Sequence, residues 1–184
     1  KNVIPAMLNS GEKMAAYRFE GYWKDVGTLE SLWDANMDML SPESGLDLLD
    51  EEWPIYARSV SAAPAFLSAE STVSHSAVNR GNEIEGVVEK SVVGPNVTVG
   101  KGAKVSYSVL LPGAKVAEGA VVEYAILGEN CPIGANSHIG GTPESADYDT
   151  WGLTVLAPNC EIAADQTVRP GIMLDRSGKE VNKK

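Results

Sequence analysis

Residues Val88–Gly140 read VEKSVVGPNVTVGKGAKVSYSVLLPGAKVAEGAVVEYAILGENCPIGANSHIG. The aliphatic residues Val88, Val93, Val99, Val105, Leu110, Val116, Val122, Leu127, Ile133 and Ile139 are spaced by 5, 6 and 6 residues, three times over. The chain therefore returns to an equivalent place every 17 residues, at Val88, Val105, Val122 and Ile139. The residues between repeat as well: Val88-Glu-Lys-Ser-Val-Val, Val105-Ser-Tyr-Ser-Val-Leu and Val122-Glu-Tyr-Ala-Ile-Leu.

A coil with three sides accounts for this arithmetic. Each side is a very short strand with one inward aliphatic. Gly- or Asn-containing stretches such as Gly94-Pro-Asn, Pro112-Gly-Ala and Gly128-Glu-Asn turn the corners, because such residues tolerate the required backbone angles and close approach. Successive coils stack at the parallel-strand spacing of about 4.8 Å. One coil cannot bury its own apolar face, so several repeats are needed. A helix would place apolar residues at steps of 3 and 4, and a hairpin protein would alternate with period 2. The spacing predicts a parallel β-helix of the hexapeptide type. Each fully buried aliphatic contributes about 1.5–3 kcal/mol, so single coils are weak and stacking must supply the cooperativity.

Outside this run the register extends both ways. Val73, Val78 and Ile84 continue it backwards with an irregular first coil starting near Phe66, as expected of a terminal repeat. Asn79–Asn82 is expected to protrude as a small turn. Gly141–Gly152 is polar and acidic without periodicity, a loop ejected from one corner. The register resumes at Leu156, Ile162 and Val168, with Met173 the next inward residue. Tyr107 and Tyr124 are 17 apart and should stack as an outer aromatic ladder, a packing surface for another domain or subunit.

Residues 1–40 differ in character. Val3–Leu8 is apolar and interrupted by Pro5, Asn9-Ser10-Gly11 is a turn, and aromatic-rich Met14–Trp23 predicts a strand. Thr28 is a good N-cap, Glu30 suits the first turn, and Leu29, Leu32, Trp33, Met37 and Leu40 line one helix face ended by Ser41-Pro42. The expected organisation is a C-terminal piece of an α/β domain over 1–40, a linker over 41–64 anchored by Trp53-Pro-Ile-Tyr56, the β-helix over 65–176, and a frayed tail over 177–184. Residues 1–40 are too few for a core of their own. The chain opens at Lys1 as if in mid-protein, which suggests a fragment.

Composition narrows the function. The 184 residues carry a formal net charge of −10, which argues against nucleic acid and anionic membrane as partners. No apolar run approaches the length of a membrane span and no signal peptide opens the chain, so a cytoplasmic location is expected. Cys131 lies beside an inward position and is expected as a reduced, buried or half-buried thiol; it forms no spacing pattern with Cys160.

Asp25 is the candidate site residue. It sits where the aromatic stretch gives way to a helix, the edge at which α/β sheets bind ligands. A carboxylate there can hold Mg2+ against a substrate phosphate. Asp before Val-Gly can equally be a simple turn former, and the local sequence leaves both open.

The stretch Gly21-Tyr-Trp-Lys-Asp-Val-Gly-Thr28, followed by Leu29-Glu-Ser-Leu-Trp-Asp-Ala-Asn-Met37, resembles the end of the catalytic domain of bacterial glucose-1-phosphate adenylyltransferases, as does Asn2-Val-Ile-Pro-Ala-Met-Leu8. Trp53-Pro-Ile-Tyr56 looks like that family's interdomain segment. The resemblance implies a mainly β chain: a left-handed parallel β-helix preceded by the C-terminal fragment of a Rossmann-like nucleotidyltransferase domain. It implies that Asp25 is a catalytic Mg2+ ligand, with Trp23 and Gly27 shaping its loop. It implies ATP and glucose 1-phosphate as substrates, glycogen synthesis as the setting, and a homotetramer or a hetero-oligomer with a related subunit, under effector control. The Gly-rich phosphate loop, second metal carboxylate and sugar-phosphate lysine of that chemistry are absent here, so the fragment alone is expected to be inactive.

Two alternatives remain at this level. Many hexapeptide β-helix proteins are acyltransferases with a histidine base, which makes His75 and His138 candidates; surface-facing residues are the expectation for both. A non-catalytic regulatory subunit of the same enzyme type is the other, and the intact Trp23-Lys-Asp-Val-Gly-Thr28 weighs against it.

Overall fold

The structure, a computed structural model, describes residues 2–48, 50–56, 60–143 and 152–181. Three parallel sheets form the sides of a triangular solenoid. The first contains Phe66–Leu67, Glu83–Ile84, Thr98–Val99, Lys115–Val116 and Pro132–Ile133. The second contains Thr72–Ser74, Val87–Glu89, Lys104–Ser106, Val121–Glu123, His138–Gly140 and Thr167–Val168. The third contains Ala77–Val78, Val92–Val93, Val109–Leu110, Ala125–Leu127, Thr154–Leu156 and Met173–Leu174.

The expected register is the observed one. Val73, Val88, Val105, Val122, Ile139 and Val168 pair in sequence across the second sheet. Val88 and Val122 are 0% exposed, and these side chains join Leu110, Leu127, Val116 and Ile133 in one core. The coil from Val73 to Val88 takes 15 residues because one corner, between Ile84 and Val88, is two residues shorter.

Corners need left-handed backbone. Gly140 has φ +78, and a Cβ there would lie 2.0 Å from the carbonyl oxygen of Glu123, so only glycine fits. Asn96, Asn130, Asn136 and Asn159 adopt similar positive φ, the conformation that asparagine tolerates best after glycine.

Several expectations are corrected. Leu174, not Met173, continues the inward column, because Leu156 pairs with Leu174 and Val155 with Met173. Asn82 does not protrude: it is buried, and its Oδ1 accepts the Val97 N–H at 2.8 Å, leaving Arg80-Gly81 as the turn. Residues 177–181 are not frayed. Asp175 Oδ1 accepts hydrogen bonds from the main chain of Ser177 and Lys179, which turns the chain back so that Glu180 bridges Leu174. Residues 182–184 and most of the ejected loop, 144–151, lie outside the described residues.

The N-terminal part is helix, extended chain, helix. Helix α1 spans Val3–Asn9, with Pro5 in the first turn where its missing N–H costs nothing. Helix α2 spans Leu29–Asp38. Met14–Trp23 forms no strand, contrary to expectation. Strand propensity needs a partner ladder, none of the described residues offers one, and Tyr17 is 91% exposed. Trp53-Pro-Ile-Tyr56 packs on none of the described residues closely enough to be an anchor: Trp53 is 84% and Tyr56 92% exposed. No helix among the described residues is long and apolar enough to cross a membrane.

Candidate functional site

Helix α2 organises the site. Its first turn is closed by a reciprocal cap: Thr28 Oγ1 accepts the Ser31 N–H at 3.1 Å, and Ser31 Oγ accepts the Thr28 N–H at 2.9 Å. Glu30 in the first turn suits the helix dipole. The loop before this cap carries Asp25.

Asp25 is exposed, and no hydrogen bond or ion pair holds its carboxylate among the described residues. The neighbouring ammonium does not engage it. Lys24 Nζ instead reaches the carboxylates of Asp34 and Asp38 on α2, at 2.5 Å from Asp38 Oδ2. Tyr22 Oη donates to the same Asp38 oxygen at 2.9 Å. Burial works against the Lys24 charge, but its hydrogen bonds to Asp34 and Asp38 outweigh that and raise its pKa. Burial likewise opposes the Asp38 charge, and the bonds from Lys24 and Tyr22 outweigh it and hold the carboxyl below its usual range.

The opposite side of α2 is fixed to the solenoid. Trp33 is 6% exposed and packs with Val109, Ile126 and Leu153 on the outside of the third sheet. Its indole N–H donates to the carbonyl of Tyr107 at 2.8 Å, and its ring stacks on Tyr124 with centroids 6.2 Å apart. Tyr107 and Tyr124 stack on each other at 4.6 Å and 5°, the ladder expected from their spacing. Lys90 extends the column: Nζ donates to Tyr107 Oη at 2.8 Å and lies 5.0 Å from that ring's centroid.

This corner is unlike the other two. His75, Lys90, Tyr107 and Tyr124 hold φ between +44 and +47. Each bulky residue in that region costs about 1–2 kcal/mol, and such strain concentrates at functional or docking surfaces. A cleft of about 490 Å³ opens between this column and α2, lined by Trp33, Asp34, Met37, His75, Lys90 and Tyr107.

The remaining candidates are placed as follows. His75 is exposed at the rim of the cleft. His138 lies outward on the second sheet, with Nε2 3.5 Å from Glu123 Oε2. The two histidines are not brought together. Cys131 and Cys160 are buried free thiols; burial raises the pKa of both. Among the described residues no group of three or more His, Cys, Asp or Glu could hold a metal. Asp25 therefore fits Mg2+ chemically, as a hard, uncommitted oxygen donor, but as one ligand among others.

The packing surface expected at the Tyr107–Tyr124 ladder is the one that α2 occupies; its extension onto Val109 and Ile126 was not anticipated. Its signal was there: Val109-Leu110 and Ile126-Leu127 are aliphatic doublets, so both faces of those strands are apolar and both must be covered.

The chain matches two family models, one described as the GMPPB C-terminal domain over residues 62–184 and one as nucleotidyl transferase over residues 1–42. It is 38% identical over 174 residues to a glucose-1-phosphate adenylyltransferase of Desulforamulus reducens, covering 95% of this chain and 44% of the relative. It is 50% identical over 105 residues to that of Geobacillus stearothermophilus, covering 57% of this chain and 27% of the relative. The chain thus spans less than half the length of these relatives. Among solved structures, the acetyltransferase domain of PglB from Neisseria gonorrhoeae FA1090 matches with a TM-score of 0.51 at 19% identity, over 65% of this chain and 58% of that one. That likeness concerns the fold.

Proposed function

Because this chain belongs to the family described as the GMPPB C-terminal domain, with the end of a nucleotidyl transferase domain ahead of it, we propose that it is the C-terminal part of a glucose-1-phosphate adenylyltransferase. In the whole protein a phosphate oxygen of glucose 1-phosphate bonds to the α-phosphorus of ATP. The bond to the β-phosphate bridge breaks, giving ADP-glucose and pyrophosphate for glycogen synthesis in the cytoplasm. Asp25 would hold Mg2+, which when bound would offset charge on the transferring nucleotidyl group. The remaining ligands and the nucleotide-binding loop belong to the rest of the catalytic domain, so this chain alone makes no ADP-glucose.

The observation that carries the reading is the uncommitted Asp25 carboxylate, on a loop tied to a capped helix, within a chain similar to such enzymes along 95% of its length. The solenoid makes no bonds in the reaction. It is an interaction and regulatory domain, holding α2 on one corner and meeting other subunits in a homotetramer or a hetero-oligomer. Val3, Ile4, Leu8, Phe19 and Trp23 are exposed apolar residues, a surface suited to being covered by the rest of the catalytic domain.

The test is Asp25→Asn in the full-length protein, assayed for ADP-glucose with Mg2+. A near-complete loss is expected; undiminished synthesis overturns the reading. His75→Ala and His138→Ala are expected to leave synthesis intact.

A further inference from the structure

Residues 13–27 make no main-chain hydrogen bonds among the described residues. Two side chains tie this stretch to a folded element: Tyr22 and Lys24, both onto α2. Exposure alternates over its Gly21–Asp25 part, with Tyr22 and Lys24 partly covered and Gly21, Trp23 and Asp25 exposed. With Lys24 pinned to α2, the next side chain, Asp25, stays exposed. α2 is itself attached to the solenoid, since Trp33 is bonded to Tyr107 and stacked on Tyr124. A continuous set of contacts runs from the strained solenoid corner through one ten-residue helix to the Asp25 loop.

We infer that Lys24 is a positioning residue for the Asp25 carboxylate, acting through its bonds to Asp34 and Asp38 of α2. The inference rests on the reading of Asp25 as a metal ligand. Its consequence for metal affinity has a sign that plain electrostatics would reverse. Removing the Lys24 charge makes the surroundings of its sequence neighbour Asp25 more negative, and Coulomb attraction alone would then tighten binding of a divalent ion. Loss of positioning weakens it, as loss of an orienting partner does for metal ligands generally, by about 10-fold or more.

The experiment is a titration of full-length protein with Mn2+, followed by electron paramagnetic resonance of the free ion, for wild type, Lys24→Met, Lys24→Arg, Asp38→Asn and Asp25→Asn. Circular dichroism melting of each variant checks that the solenoid is intact. Lys24→Met is expected to weaken Mn2+ binding about 10-fold, Asp38→Asn less, and Lys24→Arg to restore it, because a guanidinium can bridge two carboxylates. Asp25→Asn should weaken binding most. If Asp25→Asn weakens binding while Lys24→Met leaves it unchanged or tighter, the positioning role is overturned and the metal reading survives. If Asp25→Asn itself has no effect, both fall.

Discussion

The indole N–H of Trp33 donates to the main-chain carbonyl of Tyr107 at 2.8 Å, across 74 residues of sequence. The same ring packs on Val109 and Ile126 of the third sheet. This contact joins the nucleotidyl transferase segment to the solenoid, and it decides where α2 and its loop lie.

Trp33→Ala is therefore expected to release α2 without unfolding the solenoid. Truncating a buried tryptophan costs about 3–5 kcal/mol. Hydrogen exchange in Leu29–Asp38 should accelerate on the order of 10²-fold, with protection of Val105 and Val122 unchanged. Loss of protection throughout the solenoid would contradict this separation.

The clamp on α2 has a defined pH window. Asp38 is held below the ordinary carboxylate value near 4, so its contribution is present above that value and lost as pH falls through the lowered one. Lys24 is raised above its ordinary value near 10.4, so its contribution is present below that value and lost as pH rises through the raised one. The clamp should hold from about pH 5 to about pH 9. A side-chain NMR titration of Lys24 showing release near neutrality would contradict it.

Core truncation should be felt across coils. Ile139→Ala opens a cavity between Val122 and Val168 and is expected to cost about 2–5 kcal/mol in urea unfolding. Gly140→Ala should destabilise as well, since its Cβ would collide with the Glu123 carbonyl at φ +78. Tyr17→Ala, at an exposed position, is the matched control with a change within about 0.5 kcal/mol.

Burial raises the thiol pKa of Cys131, and at Cys160 burial acts first with the Cys131 charge adding to it. Groups with raised folded values stabilise below their unfolded value, near 8.5, and lose that contribution as pH rises further. Stability should decline above about pH 8.5. Neither thiol should react with a bulky disulfide reagent at pH 8 until the chain is unfolded by guanidinium; rapid reaction of the native protein would show that they are accessible.

Sequence alone determined the solenoid. A 17-residue return of aliphatic residues admits one arrangement, because only inward stacking buries them all, and Val88, Val105, Val122 and Ile139 line up as that arithmetic requires. The capped start of α2 and the Tyr107–Tyr124 ladder were legible for the same reason: each depends on residues at short or periodic spacing. What tertiary structure decided is what those elements face. Met14–Trp23 has strand-forming residues but no neighbour to pair with among the described residues, so propensity produced no ladder. The contacts of Trp33 with Tyr107 and of Lys24 with Asp38 join separated segments through single side chains. No local pattern encodes such meetings; they exist only once the coil has brought its third face opposite the helix.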